Sequence, residues 1–256
     1  MVKINNLQKI EKQKKYKCGG MITLNLKDKW KKSIGTPLLA RICADISSDG
    51  HLQIQDWRGL VSFYSKDLHA INNINKKFKH LFGIGGRIYT KKSKNVRYGI
   101  FFISKPLAIF LNEIGVPKGN KTNKPFFVSD WIINGNNKIQ SAYLRGLFTG
   151  EGSIFSTKQK NKEPRWRIGI EMYKWTKYKE EGKKFMEQVK LMLNNFEIKT
   201  SPIRFGRRNK RKNGTYSIAV KLDIESREFR KFYKYVGFDD RKKTNKLLRV
   251  IAGCKP

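Results

Sequence analysis

The sequence predicts an α+β protein built from two copies of one αββαββα unit, packed through one helix from each copy. Three observations carry this. The chain repeats: "FLNEIGVPKGNKTNK" (110–124) and "FYKYVGFDDRKKTNK" (232–246) share an apolar-Gly pair and then Lys-Thr-Asn-Lys, at an offset of 122. Hydrophobic periodicity switches between helical and strand spacing in the same order in both copies. Finally, "ICADISSDG" (42–50) aligns with "LRGLFTGEG" (144–152), placing small residues Ala44 and Ser48 over Gly146 and Gly150, with an acid and a glycine to follow. The offset there is 102, so the second copy is longer between the two features.

In the first copy, Thr36-Pro37 reads as an N-cap with proline at the first helical position, opening a helix to Ser48. "HLQIQ" (51–55) alternates as a half-buried strand and "LVSFYS" (60–65) follows as its partner. Leu68, Ile71, Ile74, Phe78 and Leu81 fall on one face of a helix over 67–82. "GGRIYTKK" and "RYGIFFIS" form a hairpin around "SKN", and "KPLAIFLNEIG" (105–115) is a helix opened by proline and closed by glycine. The second copy runs through helix 139–150, strands "GSIFS" and "RWRIGIEMY", helix 179–196, strands "SPIRFG" and "TYSIAVKLDI", and helix 226–237. Its extra length is expected in "STKQKNKEPR" (156–165) and "FGRRNKRKNG" (205–214). The chain then divides into a basic N-terminal extension (1–35), a first repeat (36–125), a linker (126–138), a second repeat (139–250) and a tail (251–256).

With 56 Lys+Arg against 20 Asp+Glu, the formal charge is +36, and self-repulsion on that scale calls for a polyanionic partner. A lysine-rich genome would enrich Lys and Asn, but the arginine clusters go beyond that bias. At 39% hydrophobic the chain has the material for a core and is no disordered tail. No apolar run reaches membrane-span length, and the first residues lack a signal-peptide core, so no membrane partner is expected. Cys18, Cys43 and Cys254 suggest no disulfide framework, and His51, His69 and His80 fit no zinc spacing, which points to a reducing compartment.

Small residues one turn apart on one helix face let two helix backbones approach closely. Crossing the two motif helices there brings Asp49 and Glu151 to the same end of the pair. Either acid alone is an ordinary helix terminus. Side by side the two raise each other's pKa, and as hard oxygen ligands they suit Mg2+.

On these residues the sequence resembles the LAGLIDADG homing endonucleases in their single-chain, two-repeat form, over about 36–250. The match is degenerate: the leading Leu-Ala-Gly is Ile42-Cys43-Ala44 and Leu144-Arg145-Gly146, the first motif acid is Ser47 and Thr149, and Asp45 stands where an apolar residue is expected. The resemblance implies two saddle-shaped antiparallel sheets straddling double-stranded DNA. It also implies metal-binding acids at Asp49 and Glu151, and hydrolysis of both strands of a long asymmetric site by a monomer using Mg2+, with Mn2+ as a substitute. "ISKPL" resembles the family segment bearing a catalytic lysine, which nominates Lys105 and, at the repeat offset, Arg227. Lys66 and Lys174, at the ends of the second strands, match a further polar active-site position.

Strand alternation places His51, Gln53 and Gln55 on one face, and the same logic picks Arg87, Tyr89 and Lys91, then Arg165 and Arg167, as DNA-contacting residues. Arg204 belongs with this set. Arg207, Arg208, Lys210, Arg211 and Lys212 are expected at a hairpin tip that grips phosphate. Alternatives are an intron maturase, with intron RNA as partner, and a non-cleaving DNA-binding regulator. The lack of protein-splicing blocks and of a His-Asn end reads against an intein.

Overall fold

In a computed structural model of the chain, the structure describes residues 14–15, 21–22, 28–91, 96–157 and 164–253. The "SKN" turn, the tip of the 156–165 hairpin, Cys18 and Cys254 lie wholly or partly outside the described residues.

A short helix α1 (Asp28–Lys32) precedes the first unit. That unit is α2 (Pro37–Ser47), β1 (Gly50–Ile54), β2 (Gly59–Ser65), α3 (Leu68–Phe82), β3 (Arg87–Lys91), β4 (Arg97–Ile103) and α4 (Lys105–Glu113). A connecting α5 (Asp130–Ile133) leads to α6 (Asn137–Glu151), β5 (Gly152–Thr157), β6 (Arg165–Trp175), α7 (Lys179–Asn194), β7 (Arg204–Lys210), β8 (Tyr216–Glu225) and α8 (Phe229–Tyr235). A last helix, α9 (Arg241–Ile251), follows. Each unit forms a four-stranded antiparallel sheet, in the order β1-β2-β4-β3 and β5-β6-β8-β7. This is the α+β architecture of two αββαββα units that the repeat predicts.

The local signals act as expected. Thr36 accepts from Leu39 N at 3.3 Å and Asn136 accepts from Ile139 N at 3.1 Å, so both motif helices start on a side-chain cap. Gly115 and Gly237, the glycines of the repeated apolar-Gly pair, both end helices at positive φ. One apolar core runs through both units, from Phe63, Phe78 and Phe102 in the first to Phe148, Phe185, Leu222 and Phe232 in the second. Helices α3 and α7 cover one face of each sheet and leave the other open.

Three features depart from the sequence reading. Within the stretch assigned to the extension, Trp30 is buried against Phe82 and Phe110, and its indole donates to Phe82 O at 3.2 Å. The aromatic ring supplies that docking, which a count of basic residues does not show. Arg207, Arg208 and Lys210 lie within strand β7, which runs on to Lys210 through a bulge opposite Ala219; only residues 211–214 turn. Helix α9 takes the second Lys-Thr-Asn-Lys into a helix, whereas the first lies in coil.

Candidate active site and nucleic-acid interface

The two motif helices cross at their small residues. A Cβ added to Gly146 would sit 2.6 Å from Ala44 Cβ, and one added to Gly150 would sit 2.6 Å from Ser48 Cβ. Larger residues there overpack the interface, at a cost of about 1–3 kcal/mol. Asp45, the misfit of the motif, turns aside from this contact. It accepts from Arg41 Nε at 2.7 Å and from Lys77 Nζ at 2.7 Å, and Arg41 reaches on to Asp239 of the second unit. Thr149 uses its hydroxyl to accept from Asp239 N at 3.1 Å, as a residue standing in for an acid can.

The crossing sets Asp49 against the other helix: its Oδ2 lies 3.0 Å from the Cβ position of Gly150, the neighbour of Glu151. Two helix C-termini, each with a partial negative charge, therefore converge with two carboxylates. Both side chains reach solvent, yet the protein crowded around them raises both pKa values. Asp49 raises Glu151 further, while lysines 121 and 243 oppose the shift at both acids.

Those two lysines are the residues the sequence reading missed. Lys121 Nζ donates to the carbonyls of Ile46 at 3.1 Å, Ser47 at 3.0 Å and Gly50 at 2.9 Å, and to Ser48 O as well. Lys243 Nζ donates to Thr149 O at 2.6 Å and Gly150 O at 3.4 Å. Each is the first lysine of a Lys-Thr-Asn-Lys and caps the motif helix of its own unit. Burial pulls Lys121 down to about 8 and lowers Lys243, against the pull of the acids.

The nominated lysines sit elsewhere. Lys105 starts α4 and turns inward to donate to Asp56 O, in the β1–β2 turn at the end of that hairpin far from Asp49. Arg227 is exposed and pairs with Glu225 at 3.4 Å and Glu228 at 3.7 Å. The structure brings neither to the acids, because β4 and β8, the fourth strand of each unit, run antiparallel to β2 and β6 and end at the side of the sheet away from Asp49 and Glu151. Lys66 is exposed just past β2. Lys174 is fully buried under Phe126, with Nζ 4.0 Å from the ring centroid, and donates to Lys121 O at 2.7 Å and Lys124 O at 2.9 Å. It thus braces the loop that carries Lys121, and burial plus that neighbouring charge lower it to about 7.

The open sheet faces collect most of the nominated DNA-contacting residues. Register puts His51, Ser62, Phe101 and Arg87 in one row, Tyr64, Gly99 and Tyr89 in the next, and Gln53 and Lys91 on the same face; Gln55 is exposed just beyond β1. On the second sheet, Arg165, Arg167 and Arg204 share the open face, and Arg207 lies in the bulge of β7 without a register partner. Arg208 does not: it pairs with Ile218 on the helix side and stacks over Tyr216 at 4.0 Å.

Among the described residues no cluster of three or more His, Cys, Asp or Glu forms, so the centre offers two carboxylates. That set fits a hard divalent cation whose other ligands are water and phosphate oxygens, the usual manner of Mg2+.

Comparison with known proteins places this arrangement. The LAGLIDADG-like domain family matches residues 138–237. The chain is 27% identical over 219 residues to the tRNA-splicing ligase RtcB of Methanopyrus kandleri, covering 80% of this chain and 21% of the ligase. It is 28% identical over 176 residues to the replication factor C small subunit of Methanocaldococcus jannaschii, covering 64% and 9%. The chain thus spans about a fifth or less of the length of these relatives. Among solved structures, the homing endonuclease I-WcaI bound to its DNA recognition sequence superposes with a TM-score of 0.53 at 15% identity, over 86% of this chain and 90% of that one. An I-DmoI variant in complex with nicked target DNA and manganese gives 0.51 at 19%, over 80% and 97%. The family model thus falls on the second unit, and across both units the chain shares the fold of the LAGLIDADG homing endonucleases.

Proposed function

We propose that this chain is a sequence-specific DNA endonuclease that acts as a monomer, and that it cuts both strands of a long, asymmetric duplex with divalent metals. The observation that carries this is the convergence of Asp49 and Glu151 at the crossing of two helices, each helix end capped by a lysine. Asp49 and Glu151 would hold the cations, Mg2+ or Mn2+, which supply Lewis acidity at the scissile phosphate. The chain's own residues do the rest. The small-residue crossing fixes the spacing of the carboxylates. Lys121 and Lys243 offset the negative charge that grows on phosphoryl oxygens, from positions set before substrate arrives. The two open sheet faces present Arg, Lys, Gln, His and Tyr side chains to a duplex, and their unlike composition gives each half-site its own sequence. The relatives named above include a ligase and a replication factor, which share no activity. This supports a module whose function is separate from theirs.

The test is a cleavage selection on a randomised duplex library with Mg2+, and with chelator as control. Recovery of one long site cut on both strands supports the proposal. Specific binding without metal-dependent cutting would make the chain a regulator, and preferential capture of structured RNA would make it a maturase.

A further inference from the structure

The open face of the second sheet holds an acid that a DNA-binding surface has no obvious use for. Asp223 in β8 is 4% exposed, the most buried acid of a face that also carries Arg165, Arg167, Arg204 and Lys221 beside the more exposed Glu171 and Glu225. Its Oδ2 accepts from Arg167 Nη1 at 3.2 Å and also from Arg204 Nη2. The three residues come from adjacent strands β6, β8 and β7, so the arginines flank the acid across the sheet. Backbone bonds tie Asp223 down: its carbonyl accepts from Ser201 N at 2.8 Å and its amide donates to Ser201 Oγ at 3.2 Å. The neighbour across the ladder is Gly169, and a Cβ there would come within 2.8 Å of Asp223 Oδ1, so the site is cleared for the carboxylate. Arg204 keeps about half of its side chain exposed and Arg167 about a fifth.

A carboxylate shared by two arginines cancels one of their two charges and so weakens a phosphate grip. It also removes most of the freedom of two long side chains. Each guanidinium has five donors and gives one nitrogen to Asp223, which leaves donors in a fixed plane for a second partner. A planar fork held in place matches O6 and N7 of guanine in the major groove, where a mobile arginine would settle on phosphate.

We propose that Asp223 is a specificity-setting positioning residue that holds Arg167 and Arg204 as guanine readers, so the half-site under the second sheet carries guanine opposite them. This rests on the DNA-binding reading above. Free of the acid, both arginines become sequence-blind phosphate contacts.

The experiment is a binding-site selection with the full chain, wild type against Asp223→Asn and Arg204→Lys, followed by titration on the selected duplex and on guanine-substituted versions at several salt concentrations. Wild type should prefer guanine at one or two positions of one half-site by about tenfold or more at each. Asp223→Asn should lose most of that preference, bind unselected DNA at least as tightly, and show a steeper salt dependence. Arg204→Lys, at an exposed position that leaves the fold intact, should relax one position only. Circular dichroism confirms that the Asn variant is folded. Unchanged guanine preference in both variants, or a uniform loss of affinity on every sequence in Arg204→Lys, would overturn the proposal. A wild type that binds with no sequence preference would instead overturn the DNA reading beneath it.

Discussion

The two units agree at the point where the helices cross and differ on the faces of their sheets. At the crossing, each motif helix ends in an acid and a glycine and is capped by the first lysine of Lys-Thr-Asn-Lys, although one lysine comes from coil and the other from α9. On the sheets the units diverge. The first open face carries an aromatic and apolar cluster among its polar residues: Tyr64 packs edge-on against Tyr89 at 6.4 Å, Tyr89 sits 5.7 Å from Phe101, and Leu60 and Ile103 lie on the same face. The second is ionic, with the Arg167–Asp223–Arg204 triad next to a Lys221–Glu171 pair at 2.8 Å. The duplicated chemistry has stayed alike while the duplicated surface has drifted. That is what the proposed shared centre and two unlike half-sites would require.

The largest effect expected from this contrast lies at the lysines. Lys121→Met and Lys243→Met should each slow cleavage by about 100-fold or more, since each removes a preset charge beside the reacting phosphate, and should leave binding of the target nearly intact. Single-turnover kinetics with a gel shift measures both. If one variant is silent, the equivalence of the two units at the crossing fails.

A smaller effect separates the units. Lys174 of the second unit braces the Lys121 loop of the first, whereas Lys66 is exposed and makes no such bond among the described residues. The folded pKa of Lys174 is near 7, below the value of about 10.4 expected of an unfolded lysine. Between those values the unfolded chain holds a proton that the folded chain has released. The stability that Lys174 contributes is therefore full above the unfolded pKa and falls away as pH drops toward 7. Urea denaturation at pH 7, 8 and 9 should show wild type gaining stability with pH more steeply than Lys174→Met, by up to about 1.4 kcal/mol per pH unit. Equal slopes in wild type and Lys174→Met would remove the brace from the account.

Most of the fold was legible because the sequence states it twice. The crossing could be read from Ala44, Ser48, Gly146 and Gly150, and the shared outer face of His51, Gln53, Arg87, Tyr89 and Lys91 from strand alternation alone. The capping lysines were in view as a repeat marker, yet their role was hidden. Lys121 reaches back over 70 residues to the end of α2, and no periodicity encodes a loop that folds back. Matching the residue after Ser104 to a family segment led instead to Lys105, whose side chain the fold turns inward. Asp45 read as a misfit for a similar reason: its partners Arg41, one turn away, and Lys77, on α3, satisfy it together only once α3 packs alongside. Asp223 gave no signal, since in a strand reading it is one acid among alternating residues.

The central claim is that Asp49 and Glu151 form one centre. A double-mutant cycle of Asp49→Asn, Glu151→Gln and the double variant tests it most directly, read as the rate of double-strand cleavage of the selected target in Mg2+ with binding measured alongside. The account predicts that all three proteins bind the target and that each single variant is as inactive as the double, because residues acting as a unit are not additive. Single variants that each keep part of the activity, with losses that multiply in the double, would show two independent acids and contradict it.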